Sequence, residues 1–148
     1  MSTYTQIIYH IVFSTQNRQA VLDTDKHEHL FRYIWGIVKN KQSVLHQING
    51  FTDHLHILTS LHPAVALADF IKDIKLGCTY WIRKENIFPE FVGWQEGYGA
   101  FTHSLKEKAR LVDYIRTQKA HHRQITFVDE YRALLQKAGI QFDERYLQ

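Results

Sequence analysis

Two histidines separated by one residue, His54 and His56, have the spacing in this sequence that best suits metal chemistry. They lie in Asp53-His54-Leu55-His56-Ile57-Leu58, where polar and apolar residues alternate as they do on a half-buried strand. Side chains two positions apart on a strand point to one face, about 6.5–7 Å apart. Both imidazoles can then bind one ion. Two exposed histidines on a half-buried strand would give the same pattern, so the spacing leaves both interpretations open.

A tyrosine and a glutamine four residues apart are the second candidate for chemistry. The segment from Leu111 to Gln118 has helical spacing, with Leu111 and Ile115 on an apolar face. Tyr114 and Gln118 share another face, one turn apart. A tyrosine hydroxyl can act as a nucleophile, and a glutamine carbonyl oxygen can bind a hard metal ion. A helical tyrosine is also a common packing residue, so this pair alone does not establish catalysis.

The composition indicates one folded domain over residues 1–148, since 45% of the residues are hydrophobic and 14% are aromatic. The formal charge of +3 and the pI of about 9.0 permit nucleic-acid binding without requiring it. Cys78 has no second cysteine to pair with, so we expect a packed thiol. The apolar run from Ile7 to Phe13 is too short to cross a membrane and has no signal-peptide features, so we expect a cytoplasmic protein.

The elements that must position these residues follow an α+β order. Four strands and four helices are predicted: strands Thr5–Ser14, Val44–Ile48, His54–Leu61 and Tyr98–Ser104, and helices from Asp23 to about Lys39, from Pro63 through Ile82, Leu105–His121 and Val128–Ala138. Asn49-Gly50 predicts the turn of a hairpin over residues 44–61, and Gly139 suits the end of the last helix. The order β-α-β-β-α-β followed by two helices predicts a ferredoxin-like antiparallel sheet. Helices would cover one face and leave the other for ligands or a partner subunit.

Basic and aromatic side chains offer candidate contacts to a nucleic acid. Lys72 and Lys75 lie on the predicted second helix, and Arg116, Lys119 and Arg123 lie around and beyond the tyrosine. Such side chains can bind phosphates, although a solvated helix face has the same composition. The rings of Trp94, Tyr98 and Phe101 can stack on unpaired bases. We expect at least two of these three rings to belong to the core.

In order and spacing, these segments resemble the single-tyrosine HUH transposases of small bacterial insertion sequences and their repeat-associated relatives. HUH denotes two histidines around a bulky hydrophobic residue, here His54-Leu55-His56. The resemblance covers nearly the whole chain and rests on His10-Ile11-Val12-Phe13-Ser14-Thr15, Ile48-Asn49-Gly50, Trp94-Gln95-Glu96-Gly97-Tyr98-Gly99-Ala100-Phe101, Tyr114-Ile115-Arg116-Thr117-Gln118, His121-His122, Phe127, Glu130-Tyr131 and Asp143-Glu144-Arg145-Tyr146-Leu147. His103 stands where the family pattern has a small or aliphatic residue.

The resemblance implies a specific reaction. A divalent metal, Mg²⁺ or Mn²⁺, would be held by His54, His56 and Gln118, and Tyr114 would attack a DNA phosphate. The product would be a 5′-phosphotyrosine and a free 3′-OH. The resemblance also implies single-stranded DNA with hairpin ends as substrate, and a homodimer in which the tyrosine helix of one subunit can complete the histidine site of the other.

Three other functions are compatible with the same residues. A domesticated protein that processes repeat hairpins would share the chemistry. A noncatalytic single-stranded nucleic-acid-binding module would share the sheet, although the aromatic signature of RNA-recognition domains is missing. A metal hydrolase or structural zinc site is compatible with His54 and His56, but no acidic third ligand or cysteine pair stands nearby in sequence.

Overall fold

The computed structural model describes residues 2–122 and 124–147. Within these residues the chain forms four strands, β1 (Ile8–Ser14), β2 (Val44–Gly50), β3 (His54–Ser60) and β4 (Gly99–His103), and five α-helices, α1 (His27–Asn40), α2 (Leu67–Glu85), α3 (Lys108–Arg116), α4 (Gln118–His121) and α5 (Phe127–Lys137). All strand pairs are antiparallel, in the order β2-β3-β1-β4. This order confirms the α+β ferredoxin-like sheet. Among the described residues, no helix is both long and apolar enough to cross a membrane.

The strand period of two divides the central strands β1 and β3 between two faces. Ile11 and Phe13 of β1 join Leu55 and Ile57 of β3 in the main hydrophobic core. This core packs against α1 and α2, whose buried residues include Leu30, Ile34, Phe70, Ile74 and Cys78. Cys78 is a free, buried thiol, as expected. The apolar face of the sheet is therefore covered by the two crossover helices.

The opposite face of the sheet is covered by the C-terminal helices of the same chain. Ile8 and Leu58 pack against Leu111 and Ile115 of α3, and Val12 packs in a second small cluster with Phe127 of α5. A cleft lined by His10 and Phe101 remains open on this face, but the expectation that the face as a whole would stay open for a ligand or a partner subunit is wrong. The apolar stripes of α3 and α5 are the physical reason, because they need a surface on which to be buried.

Gly50 lies inside a strand rather than at a turn. Asn49 and Gly50 pair with His56 and Leu55, and the chain reverses at residues 51–53. A Cβ atom built on Gly50 would lie 2.2 Å from the carbonyl oxygen of His54, so glycine is required by a close approach. The predicted hairpin exists, but the prediction of an Asn-Gly turn is wrong.

The second helix also begins later than predicted, at Leu67 instead of Pro63. Residues 63–66 form a turn in which Val65 N–H donates to the carbonyl oxygen of His62. Gly77 lies where α2 approaches α1, because a Cβ atom there would lie 2.9 Å from Cδ1 of Ile37. The last helix ends as predicted, with Gly139 at a φ of 71° after the C-cap Ala138.

Candidate active site and metal centre

The two histidines of β3 point to the same face of the sheet, and both side chains are fully buried. Nδ1 of His54 lies 2.7 Å from Oδ1 of Asp53. A carboxylate only accepts hydrogen bonds, so Nδ1 carries the hydrogen and Nε2 faces the site. A carboxylate behind a histidine is the usual way to orient an imidazole toward a metal. The prediction that His54 and His56 share a face is confirmed, and the alternative of two exposed histidines is wrong.

His56 is held from behind by a third histidine, His10 of β1. Nδ1 of His56 lies 2.7 Å from Nε2 of His10, and the two rings are stacked with centroids 5.0 Å apart. Burial lowers the pKa of His56 to about 4, even though Glu130 opposes the shift. Burial also lowers the pKa of His10 well below its usual range, and His56 adds to that effect. Both rings are therefore neutral at pH 7, the form in which a histidine binds metal.

Glu130 of α5 lies at the centre of the site and is 2% exposed. Its Oε1 lies 2.9 Å from Nε2 of His56 and 2.9 Å from Nε2 of His122. Its Oε2 accepts a hydrogen bond from Nε2 of Gln118 at 2.9 Å and another from the hydroxyl of Tyr114. Burial alone would raise the pKa of Glu130, but hydrogen bonds from His122 and His56 outweigh it and hold the pKa well below its usual range. Glu130 is therefore a buried carboxylate anion.

His122 supplies the matching charge. Its Nδ1 lies 2.8 Å from the carbonyl oxygen of Ile125, which can only accept, while its Nε2 faces Glu130. Burial lowers the pKa of His122, but the hydrogen bond and charge of Glu130 prevail and raise the pKa above its usual value. The charges of His122 and Glu130 compensate each other, and a charged side chain is tolerated in the interior only with such a partner.

Tyr114 and Gln118 both reach this site, although the helix that carries them is interrupted. The predicted helix over residues 105–121 divides into a 3₁₀ turn, α3 and α4, with the break at Thr117. The hydroxyl of Thr117 donates to the carbonyl oxygens of Asp113 and Tyr114, which competes with the regular helical bonds. Oε1 of Gln118 lies 3.3 Å from Nε2 of His54, and Gln118 is fully buried. The break therefore leaves both side chains directed at Glu130.

Four side chains of the site, His54, His56, His122 and Glu130, can offer ligand atoms that lie within 4.8 Å of one another. Oε1 of Glu130 is 2.9 Å from Nε2 of His56 and 3.5 Å from Nε2 of His54. Two ligands bound to one ion at about 2.1 Å and at right angles are about 3 Å apart. The cluster can thus hold a metal ion, and Gln118 brings an amide oxygen to its edge.

Glu130 belongs to the segments that carry the family resemblance, but local spacing assigned it no role, because it comes from a separate helix 74 residues after His56. The statement that no acidic ligand stands nearby holds in sequence but not in space. A signal was nevertheless present, since Phe127, Glu130 and Leu134 fall at helical spacing on the inward stripe of α5. A carboxylate in an otherwise apolar stripe is seldom buried without a partner.

A cleft of about 730 Å³ opens beside Tyr114. Its walls combine apolar surface, including Phe101, with Arg110, Lys137 and His121, and Glu107 also lines it and pairs with Arg110. His103 also lines this cleft and lies 3.2 Å from Oε2 of Glu107. The tyrosine is thus half-buried yet reachable from one side.

The basic residues predicted to contact DNA lie in different places. Lys72 is exposed on α2, in the layer on the other side of the sheet. Lys75 donates to the carbonyl oxygens of Gln95 and Gly97, at 3.0 and 2.6 Å, so it has a structural role. The structure therefore does not bring either lysine to the histidines.

Three further residues predicted to contact DNA follow the tyrosine. Arg116 is exposed and forms an ion pair with Asp113. Lys119 is half-buried, donates to Oδ1 of Asn49 at 2.6 Å and lies over the ring of Phe31. Arg123 lies outside the described residues.

Two of the three aromatic candidates for base stacking pack inside the protein, as expected. Trp94 lies between Phe13 and Phe91, with ring centroids 5.1 and 5.0 Å away. Phe101 is 8% exposed in the cluster around Val12, whereas Tyr98 is 41% exposed. Only Tyr98 among the three presents its ring to solvent.

Comparisons with known proteins agree with this architecture. The family model described as "Transposase IS200 like" matches residues 3–118, a range that includes His54, His56, Tyr114 and Gln118. A crystal structure of a Deinococcus radiodurans R1 protein assigned as a transposase is similar at 22% identity and a TM-score of 0.61, over 80% of this chain and 95% of that one. A REP-associated tyrosine transposase bound to a REP hairpin is similar at 18% identity and a TM-score of 0.62, over 84% and 76%. No curated protein matches the chain.

Proposed function

Because the chain belongs to the IS200-like transposase family, we propose that it cuts and rejoins single-stranded DNA with Tyr114 as nucleophile. The observation that carries the proposal is that the nucleophile and the candidate metal ligands lie around one buried carboxylate. The Tyr114 hydroxyl, His56 and Gln118 all contact Glu130, and His54 lies 3.5 Å from it. A nucleophile beside side chains that can hold a metal ion is an arrangement that suits phosphoryl transfer.

The metal is proposed to be Mg²⁺ or Mn²⁺, held by His54, His56 and Gln118, with Glu130 as an additional oxygen ligand. Nitrogen ligands favour softer ions, whereas amide and carboxylate oxygens favour Mg²⁺ and Mn²⁺. The mixture suits Mn²⁺ at least as well as Mg²⁺. When bound, the ion would withdraw charge from the scissile phosphate and stabilise the additional negative charge of the transition state.

The proposed step forms a bond between the Tyr114 oxygen and the phosphorus and breaks the bond from phosphorus to the 3′-oxygen. The phenolic hydrogen must leave the attacking oxygen, and the departing 3′-oxygen must gain one. Burial and the neighbouring Glu130 carboxylate raise the pKa of Tyr114, so the phenol stays protonated until it attacks. Glu130 already accepts the hydrogen bond of this hydroxyl and is the nearest group to receive its proton.

A tyrosine suits this reaction because the cut must be reversible. The phosphotyrosine is a diester, so it retains the free energy of the original phosphodiester bond. A 3′-OH can attack it and release Tyr114 without an energy source such as ATP. Activated water as nucleophile would hydrolyse the bond and lose that free energy.

The substrate is proposed to be single-stranded DNA with hairpin ends, in the cytoplasm. The similar REP-associated transposase is bound to a REP hairpin. Lys137 lines the cleft beside Tyr114 and suits an anionic strand, and Arg110 lines it as the ion-pair partner of Glu107. We propose Arg116, Lys119 and Arg123 as contacts to the DNA backbone, and Lys72 and Lys75 as weaker contacts.

The protein is proposed to be a homodimer. Tyr114 meets the histidine site of its own chain through Glu130, so the arrangement described here needs no second subunit to complete it. Mixing Tyr114→Phe with His54→Ala tests this assembly. A site built from one chain predicts no covalent product from the mixture, whereas a site shared between subunits predicts partial recovery.

The test of the reaction uses a labelled single-stranded oligonucleotide that carries a hairpin, with Mn²⁺ or Mg²⁺. The expected product is a covalent protein–DNA band that resists denaturation. The band should be lost in Tyr114→Phe and in His54→Ala and retained in Tyr80→Phe, an exposed tyrosine of α2. A band that persists in Tyr114→Phe would overturn the assignment of the nucleophile.

A noncatalytic binding module is the contrasting outcome of the same test. It predicts tight binding of the hairpin strand and no covalent band with either metal ion. A domesticated protein that processes repeat hairpins would give the covalent band. Only the location of its gene relative to such repeats distinguishes it from a mobile element.

A further inference from the structure

Arg18 lies in an unusual backbone conformation between β1 and α1. Asn17 and Arg18 have φ angles of 54° and 51°, two consecutive non-glycine residues in the left-handed region. The surrounding chain holds this turn in place, because Asn17 N–H donates to Oε1 of Gln95 at 2.8 Å and Thr15 Oγ1 donates to the carbonyl oxygen of Gln19 at 2.7 Å. Strained backbone that its surroundings fix in this way is common at functional sites.

The guanidinium of Arg18 has buried donors without acceptors. Its Nε and Nη1 atoms are shielded from solvent and have no hydrogen-bond partner within residues 2–122 and 124–147. Burial lowers the pKa of Arg18, while Tyr131 and Asp53 oppose that shift. An arginine nevertheless keeps its charge in proteins. Unpaired buried donors are rare, and a charged one is costly unless a partner arrives.

The position of Arg18 connects it to the proposed active site. Its guanidinium carbon lies 5.5 Å from the ring centroid of Phe127, and that ring stacks on His54 with centroids 4.3 Å apart. The Phe127 ring thus links the two groups, and the distance from the guanidinium carbon to the His54 ring centroid cannot exceed the sum of these two ring distances. The ring of Phe127 contacts both groups, so a strand bound at His54 would have to pass this ring to bring a second phosphate to Arg18.

The space beside Arg18 suits a polar, flexible ligand. Arg18 lines a cavity of about 250 Å³. Gln95, Tyr98, Tyr131 and Tyr146 also line it and offer an amide and three aromatic rings with hydroxyl groups. Two acidic residues line it as well, Glu96 and Asp143, and Asp143 is bonded to Arg145. The cavity is small for a whole nucleotide and ample for a phosphodiester group.

We propose that Arg18 binds a backbone phosphate of the single strand, close to the scissile phosphate, through its planar fork of N–H donors. The inference rests on the proposed function for the identity of the ligand as DNA. It adds a binding residue from the turn after β1, outside the basic residues of α2 and α3–α4. Nε and Nη1, the two atoms that lack a partner, are closed to solvent in this structure, so a phosphate would accept hydrogen bonds from them after the side chain turns toward the cavity.

The test measures binding of a fluorescent hairpin-bearing single strand by anisotropy, without metal and in a Tyr114→Phe background, so that no chemistry is needed. Arg18→Met keeps the length of the side chain and removes the charge. Arg32→Met is the matched control, because Arg32 lies exposed on α1 and pairs only with Glu28 among the described residues. We expect Arg18→Met to weaken binding about tenfold and to reduce the slope of log K against log salt by about 0.7, the value for one phosphate contact on a single strand.

The stability of the same variants separates a binding role from a structural one. Removing an unpaired buried charge should leave the melting temperature of Arg18→Met equal to or above that of the parent. Weaker binding with an unchanged salt slope would assign Arg18 to holding the turn and overturn the proposal, as would binding within twofold of the parent. A parent that binds no DNA overturns this inference and the proposed function together. A covalent band from the protein that retains Tyr114, together with normal binding by Arg18→Met in the Tyr114→Phe background, overturns the inference alone.

Discussion

The two faces of the sheet are built from alternate residues of the same strands, yet they differ in kind. On β3, Leu55 and Ile57 enter one large apolar core beneath α1 and α2. On the opposite face, His54 and His56 lie between two small apolar clusters, one around Val12 and one around Leu58. One face therefore supplies most of the hydrophobic stabilisation, and the other holds buried charges and imidazoles in fixed positions.

The difference shows how buried polar groups are tolerated in this protein. On the site face, His54, His56 and His122 each have both ring nitrogens within bonding distance of a partner. On the core side, His27 has a single bond from Nε2 to the carbonyl oxygen of Leu22, and its Nδ1 has no partner among the residues described. The site histidines are positioned by polar contacts, whereas His27 is held by packing.

The largest expected effect is a loss of stability from a substitution on the apolar face of the sheet, with no loss of activity at the site face. Ile57→Ala should lower the free energy of unfolding by about 3 to 4 kcal/mol, because it removes fully buried apolar volume from the core. Covalent product formed per folded molecule should stay near the wild-type level, since His54 and His56 keep their strand. Chemical denaturation measures the first quantity, and the gel assay well below the melting temperature measures the second. Loss of product in the folded variant would show that the faces are not separable.

The second effect concerns pH and the histidine of the core side. Burial, with a smaller contribution from Lys119, lowers the pKa of His27 to about 4, while an unfolded histidine titrates near 6.5. Between these values the unfolded chain binds the additional proton at His27. The contribution of His27 to the free energy of unfolding therefore falls by about 3 kcal/mol as the pH drops from about 6.5 to 4. Unfolding of wild type and His27→Gln across this range should differ in slope, and His29→Gln, at an exposed site on the same helix, should not. Parallel curves for wild type and His27→Gln would contradict the assignment.

A smaller stability effect is expected on the site face. Glu130→Gln should lower the free energy of unfolding of the metal-free protein by about 2 kcal/mol, because it removes the anion that His122 and Tyr114 contact. It should also weaken Mn²⁺ binding, measured by calorimetry or by the electron paramagnetic resonance signal of free Mn²⁺. Glu28→Gln, which breaks an exposed pair with Arg32, is the control and should change neither quantity measurably. Unchanged Mn²⁺ affinity in Glu130→Gln would remove Glu130 from the ligand set.

Local patterns in the sequence predicted the parts of the fold and site that depend on neighbouring residues. The alternation in β3 predicted that His54 and His56 share a face, and the order of elements predicted the sheet. Tyr114 and Gln118 converge as predicted, despite the break at Thr117, because they remain one turn apart.

Other features depend on contacts between distant segments and could not be predicted locally. Gly50 is required by the approach of the His54 carbonyl, a contact that a turn propensity does not describe. Glu130 reaches the histidines because Phe127 packs on His54 and fixes the position of α5. The closure of the second face by α3 and α5 depends on the same tertiary contacts.

The assignment of Tyr114 as the nucleophile is tested most directly by identifying the residue that becomes linked to DNA. The protein is incubated with a hairpin-bearing single strand and Mn²⁺, digested with nuclease and protease, and analysed by mass spectrometry. We expect a nucleotide attached through its 5′-phosphate to the peptide that contains Tyr114, and a 3′-OH on the released strand. A nucleotide on any other residue, or cleavage with a 5′-phosphate and no protein adduct, would contradict it.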